Sequence, residues 1–163
     1  KRTEDPEVYI RKIRSQIMNY IKMQTELLKM LDREDKRNQV LAGVLNEEEI
    51  AVTLDGYALY RIPKNRFYID HNKIPGNQLK AYSFFDFETE DATKTNELRR
   101  VKKVTLVKLK SANAYTWVDE KLLKYFDKEC TFAISKNKPL ISPVKIFEDE
   151  VCVGIVLPFK CED

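Results

Sequence analysis

The 163-residue chain is short of the residues on which most catalytic sites are built: one histidine, three cysteines and only four glycines. So few glycines, none of them clustered, leave no Gly-rich loop to cradle a phosphate. The single histidine, His71, follows Asp70, and no Ser or Cys nucleophile stands in a recognisable motif beside it. An isolated Asp-His pair at a strand end reads as a turn feature rather than a dyad. Cys130, Cys152 and Cys161 have no metal-ligand spacing and leave an odd one out, which points to reduced thiols in the cytosol. No apolar run is long enough to span a bilayer and no signal-peptide core is present, so no membrane partner is expected. The expectation is a cytoplasmic protein with no catalytic residues, no metal and no cofactor.

What is present is core-forming material and balanced charge. Hydrophobic residues make up 43% of the chain, with eight Phe and eight Tyr, enough to fill the core of a single domain. Charged residues reach 34%, yet 29 basic residues against 26 acidic leave a net charge of only +3. An excess that small does not by itself predict nucleic-acid binding; the distribution of charge has to carry any such case. The chain begins at Lys1 rather than Met, which reads as a processed or trimmed N-terminus, with residues 1–17 peripheral to the core.

Asp5-Pro6 is a helix start, a capping carboxylate followed by proline at the first helical position. Ile10, Ile13, Ile17 and Ile21 then recur at helical spacing, predicting an amphipathic helix over 5–18. Tyr20 to Met23 alternates like a short strand, and Thr25 can cap a second helix over 25–34 with Leu27, Leu28 and Leu31 inward. Strands are predicted at Gln39–Leu45, Ile50–Leu54 and Tyr57–Ile62, with Asp55-Gly56 the strongest hairpin signal in the chain. A short strand is expected at Arg66–Asp70. The acidic stretch 86–97 reads as a loop or insertion, and Val104–Lys110 as a lysine-protected edge strand within the basic 99–110 run. Tyr115-Thr116-Trp117 is extended, and Asp119 opens a helix with Val118, Leu122 and Phe126 on one face. Strands follow at Cys130–Ser135, Ser142–Phe147 and Val151–Leu157. Each half therefore reads β–α–β–β–β, an α+β duplication with two helices on one side of antiparallel sheet.

Val118–Lys160 resembles the last βαβββ unit of the bacterial DNA polymerase III β sliding clamp. The residues that carry this are Val118-Asp119-Glu120-Lys121-Leu122-Leu123, Ser142-Pro143-Val144-Lys145-Ile146, and Gly154-Ile155-Val156-Leu157-Pro158-Phe159-Lys160. In the first half, Ile50 to Leu59 is similar to the clamp's Val-Ala-Thr-Asp-Gly-His-Arg-Leu hairpin, with Tyr57-Ala58 in place of its His-Arg. The resemblance covers roughly 19–63 and 118–160. It implies two tandem βαβββ units forming one DNA-clamp-like domain over 19–163, preceded by an N-terminal helix over 1–18. The first unit would occupy about 19–76, an irregular insertion 77–100, and the second unit 101–160. Because a family subunit has three such domains and a ring six, this chain would need further copies of itself, as a homo-oligomer, or a larger partner to encircle DNA.

The resemblance further implies two kinds of site. Clamp helices meet the backbone of double-stranded DNA without reading its sequence. On the second predicted helix Lys121, Lys124 and Lys128 form a basic stripe, and on the first Lys29, Arg33, Lys36 and Arg37 are similarly placed among acids. Clamps also capture short peptides of polymerases and other replication proteins in an apolar cleft. Position by position this carries over to Thr53, Asp55, Gly56, Leu59, Val144, Leu157, Pro158, Phe159 and Lys160. Trp117, with Tyr115 and Tyr125 nearby, could stack on bases but reads better as an anchor for the second helix. The expected function is a non-catalytic, clamp-fold replication accessory of a bacterium or phage, acting through DNA-backbone contacts, peptide docking or both. Its rival is a protein-interaction adaptor of the same fold that never touches DNA. A third, ranked last, is a small nucleic-acid-modifying enzyme using Asp55, Asp70 and Asp86.

Overall fold

Asp5 caps the first element as its sequence suggests: its carboxylate accepts the Glu7 N–H at 2.9 Å, and Pro6 occupies the first helical position. The computed structural model, which describes residues 5–74 and 84–161, then runs as one helix, α1, from Pro6 to Asp32. At 27 residues it is about 40 Å long. The expected break near Asn19 is absent, and Tyr20 to Met23 is helix rather than strand. Thr25, expected to cap a second helix, instead donates its hydroxyl to the Ile21 carbonyl one turn back (2.8 Å), which lets it sit within a helix. Met23 and Leu27 are fully buried, whereas Leu28, one position further round the helix, is half exposed.

Gln24 fastens α1 to the rest of the molecule. Its amide donates to the Arg66 carbonyl at 2.8 Å and its carbonyl accepts the Tyr68 N–H at 2.8 Å. Those backbone groups are thereby unavailable to a strand ladder. The strand expected at Arg66–Asp70 is accordingly absent, and 3-10 turns at Lys64–Arg66 and His71–Lys73 flank the segment.

Among the described residues nine strands follow the helix: β1 (Leu41–Val44), β2 (Glu49–Thr53), β3 (Ala58–Pro63), β4 (Glu90–Val101), β5 (Val104–Lys110), β6 (Tyr115–Asp119), β7 (Thr131–Ile134), β8 (Val144–Glu148) and β9 (Val151–Val156). They make one antiparallel sheet in the order β1-β2-β3-β9-β8-β7-β4-β5-β6. The protein is therefore α+β, with one long helix and a large antiparallel sheet. Eight strands lie within about two residues of segments expected to be extended, and three further expectations are corrected. The acidic stretch expected as a loop is largely β4, which pairs with β7 through Glu90–Ala92 and with β5 from Thr93 onward, with a register shift between Lys94 and Leu98. Of its twelve residues only Ala92 is buried, so it lacks the apolar alternation that would betray a strand. Second, β5 lies between β4 and β6 and buries Leu106, Val107 and Leu109; the sheet edges are β1 and β6. Third, the second helix is only a 3-10 turn, Glu120–Leu123, capped by Asp119 and followed by further turns before β7.

The sheet cannot be flat. The segment after β9 donates the Phe159 N–H to the Trp117 carbonyl of β6 at 2.7 Å. In a flat sheet β9 and β6 would lie five strand spacings apart, about 24 Å. The three residues from Val156 to Phe159 span at most about 10 Å. The sheet therefore curls, and residues from both its ends, Val40 and Ala42 with Val107, Leu109 and Val118, share one core with Met23 and Leu27 of α1.

At the centre, β3 pairs with β9 through Ala58↔Val156, Leu59↔Ile155 and Tyr60↔Gly154. Phe126 lies against Gly154: a Cβ there would fall 2.8 Å from the Phe126 ring and 2.6 Å from the Leu59 carbonyl oxygen. The same ring packs on Tyr60 with centroids 5.2 Å apart, and Tyr125 meets Tyr60 edge-on at 5.8 Å. Because the obstructing atoms include backbone, relaxation is limited. Gly154→Ala is expected to lower stability by about 1–3 kcal/mol, read from the urea midpoint at unchanged m-value.

Candidate functional site

The β2–β3 hairpin is shaped by its own side chains. The Thr53 hydroxyl accepts the Gly56 N–H at 2.8 Å, and the Asp55 carboxylate accepts those of Tyr57 (2.8 Å) and Ala58 (3.3 Å). Gly56 has φ +82°, a conformation that glycine adopts without strain. The segment leaving β9 is drawn against this hairpin when the Leu157 N–H donates to the Tyr57 carbonyl at 2.8 Å. Successive strand residues point to opposite faces, so this junction presents two different concavities, one on each side of the sheet.

On the outer face, Leu59 and Ile155 pack with Ala51 in a small second core, which Phe85 and Phe87 cover. Arg61 lies 5.1 Å from the Phe85 ring centroid, and the Lys145 ammonium lies 4.6 Å from that of Phe87. Beside this cover is an apolar pocket of about 400 Å³, lined by Thr53, Gly56 and Leu59 from the hairpin and by Leu157 from the closing segment, with Leu41, Phe84, Pro143 and Ile155. Of the residues expected in a peptide cleft, Thr53, Gly56, Leu59 and Leu157 line this pocket.

The core-side face carries a larger groove, about 720 Å³. Its floor and walls include Met30, Leu54, Leu122 and Tyr125; Tyr57 and Leu157, which also line the outer pocket, form the ridge between the two. Arg33 and Lys36 enter from the end of α1, Lys121 and Lys124 from the 3-10 turn, and Lys160 from the closing segment. Glu26, Asp55 and Asp119 are the acids among its lining.

The expected site residues are therefore redistributed. Of the proposed DNA-contact residues, Arg33, Lys36, Lys121 and Lys124 converge on this groove rather than forming helix stripes, because the second helix does not exist. Lys29 and Lys128 are exposed outside it, and the Arg37 guanidinium donates to the Leu31 carbonyl at 3.0 Å, holding the end of α1. Of the proposed cleft residues, Asp55, Pro158, Phe159 and Lys160 line the groove, and Leu157 lines both concavities. Val144 is fully buried in the main core and lines neither. Sequence reasoning missed Tyr57 and Phe84. Tyr57 follows the Asp-Gly turn, where an exposed aromatic was a signal worth following; Phe84 had none. Trp117 is 2% exposed, with the Arg99 guanidinium 4.7 Å from its ring centroid, so it offers no face for a base.

Two of the carboxylates weighed for an enzyme, Asp55 and Asp70, make local hydrogen bonds. Asp55 holds the hairpin, and Asp70 accepts the Asn72 N–H at 3.0 Å. Asp86 is exposed, and the His71 side chain lies outside what is described. Among the described residues no group of three or more His, Cys, Asp or Glu side chains is placed to hold a metal, and no helix is long and apolar enough to cross a membrane.

A third, acidic concavity of about 270 Å³ lies between the turn before β7 and the β8–β9 hairpin, lined by Asp127, Glu129, Glu148, Asp149 and Glu150. Burial holds the Glu148 carboxyl above its usual range, although it accepts the Asp127 N–H at 2.6 Å. Burial, with Glu148 and Asp127 nearby, pushes the Cys130 thiol up to about 11, so it stays protonated at neutral pH.

Compared with known proteins, the chain matches no family model, no curated protein and no solved structure.

Glu148 makes a pH-dependent contribution with a definite sign. Its raised folded-state pKa means that stability is fully present below its ordinary value near 4.5 and declines as pH rises through the folded value. Glu148→Gln keeps an oxygen to accept from Asp127 and removes the ionisation. Its melting temperature is expected to match wild type at about pH 4 and to exceed it increasingly toward pH 8, the gain levelling off once the wild-type carboxyl is ionised.

Proposed function

We propose that the chain is a non-catalytic, clamp-like accessory of DNA replication that works by docking, with a peptide pocket on the outer face and nucleic-acid contacts on the core-side face. The observation that carries this reading is the outer pocket itself. Thr53, Gly56 and Leu59 lie about a hundred residues from Leu157 in the chain, yet they line one apolar concavity of about 400 Å³. An apolar pocket with a few polar edges suits the capture of a short peptide bearing large apolar side chains.

The topology supports the tandem-unit idea in its strands. In each half a leading segment, α1 or the turn containing Phe126, is followed by a three-stranded meander, β1–β3 or β7–β9. The meanders meet at β3 and β9, and Leu27 and Phe126 from the leading segments enter the same core. The first half lacks an opening strand, and the second has a 3-10 turn where a clamp unit has a helix. That second departure favours the adaptor as an alternative, because the paired helix faces that would lie along a duplex are missing. A clamp that encircles DNA would further require several copies of this chain.

Titrating isotope-labelled protein with a panel of short peptides rich in Leu and Phe tests the docking reading. Shift changes are expected at Thr53, Gly56, Leu59 and Ile155, which line the pocket and not the groove, with affinity reduced at least about tenfold by Phe84→Glu, which alters the pocket wall without reaching the groove. Peptides that leave these resonances unmoved would overturn it.

A further inference from the structure

The core-side groove supports a more specific assignment, which deepens the nucleic-acid half of the reading above and rests on it only there. We infer that the groove takes single-stranded nucleic acid in preference to a duplex.

The first argument is charge. Lys36, Lys121, Lys124 and Lys160 have no carboxylate within ion-pairing distance among the described residues. Arg33 shares its guanidinium with Asp35 at 3.1 Å in an exposed pair, which costs little to open. Two of the three acids in the lining are already engaged by backbone: Asp55 accepts the Tyr57 and Ala58 N–H groups, and Asp119 accepts that of Lys121 at 3.0 Å. Asp55 and Asp119 keep their charge, but five cations face three carboxylates in the lining, and a polyanion entering the groove would meet that cationic excess.

The second argument is shape. These cations surround a concavity instead of lying along a convex helix face. A duplex is too wide to enter a groove of about 720 Å³ and could touch only its rim, whereas a few nucleotides of single strand can lie inside.

The third is aromatic surface. Tyr57 is 61% exposed on the groove's ridge and Phe159 is partly exposed within it, whereas the Tyr125 ring is covered by the Lys124 ammonium, 4.9 Å from its centroid. Exposed rings beside unpaired ammonium groups stack bases while neighbouring lysines take phosphates, a combination tolerant of sequence. An acidic peptide would use the lysines but has no need of Tyr57.

The test is fluorescence anisotropy on the full chain with three labelled probes: a dT 12-mer, a DNA hairpin duplex of matched charge, and an acidic, leucine-bearing peptide. The dT 12-mer is expected to bind at least about tenfold more tightly than the duplex. Its affinity should fall with salt at a log–log slope of about −2 to −3, as three or four phosphate contacts require. Tyr57→Ala should weaken dT binding about tenfold without changing that slope, whereas Lys121→Glu with Lys124→Glu should weaken binding and flatten the slope. Lys102→Glu with Lys103→Glu, the same charge change at the exposed β4–β5 turn, should leave affinity within about twofold. Equal or tighter duplex binding, or indifference to Tyr57, would overturn the single-strand assignment while leaving backbone contact standing. Saturation by the acidic peptide with no oligonucleotide binding would overturn both and make the groove a protein site. The Leu- and Phe-rich peptide titration reads the outer pocket, so neither result decides the other.

Discussion

The packing of Phe126 on Gly154, across from Tyr60, is the contact on which the rest of the structure depends. It sits where β3 meets β9, the one place at which the first three strands join the rest of the sheet. The joint is only three residue pairs long. It closes tightly because position 154 has no side chain, so an aromatic ring can lie directly on the backbone. The same contact accounts for the missing second helix: only about a dozen residues separate β6 from β7, and they must deliver Phe126 to this point. A regular helix is given up for a capped 3-10 turn and a buried ring.

From that joint the two concavities follow by strand alternation. Leu59 and Ile155 face outward into the smaller apolar pocket, while Tyr60 faces inward beneath Tyr125 and the groove. The closing segment after β9 completes both, bonding first to Tyr57 and then to Trp117, and by reaching Trp117 it also records the curl of the sheet. Charge is divided between the ends of the turn that carries Phe126. Its start supplies Lys121 and Lys124 to the cationic groove, and its end supplies Asp127 and Glu129 to the acidic concavity around Glu148. A molecule with a net charge of only +3 can therefore present one cationic and one acidic concavity.

Where the chain is legible, local chemistry and tertiary structure agree. Asp55-Gly56 specifies its turn by hydrogen bonds that its own side chains make, and the apolar runs around it are short and bounded by turn residues, so β1 to β3 and β7 to β9 are recoverable from the sequence. The rest turns on partners distant in the chain. Thr25 is a plausible cap until its hydroxyl is seen to bond back to Ile21. Residues 66–70 are apolar enough for a strand, but Gln24 takes their backbone groups. β4 is read as a loop because almost all its side chains face water, and β5 as an edge because its lysines obscure that strands lie on both sides. Lys108 in particular is buried among Tyr115, Trp117 and Glu97. For the candidate sites, residue types were legible and their grouping was not: Arg33, Lys36, Lys121 and Lys124, assigned to two helix stripes, share one groove that leaves out Lys29 and Lys128, and the cleft residues divide between two faces.

One aromatic ring on one glycine joins the two halves of the chain. Proton NOEs from the Phe126 ring test it most directly. Strong cross-peaks to the Gly154 Hα proton that faces the ring and to the Tyr60 ring are predicted. A Phe126 ring that shows its NOEs to other residues, with none to Gly154, would contradict the joint between β3 and β9 and the two sites built from it.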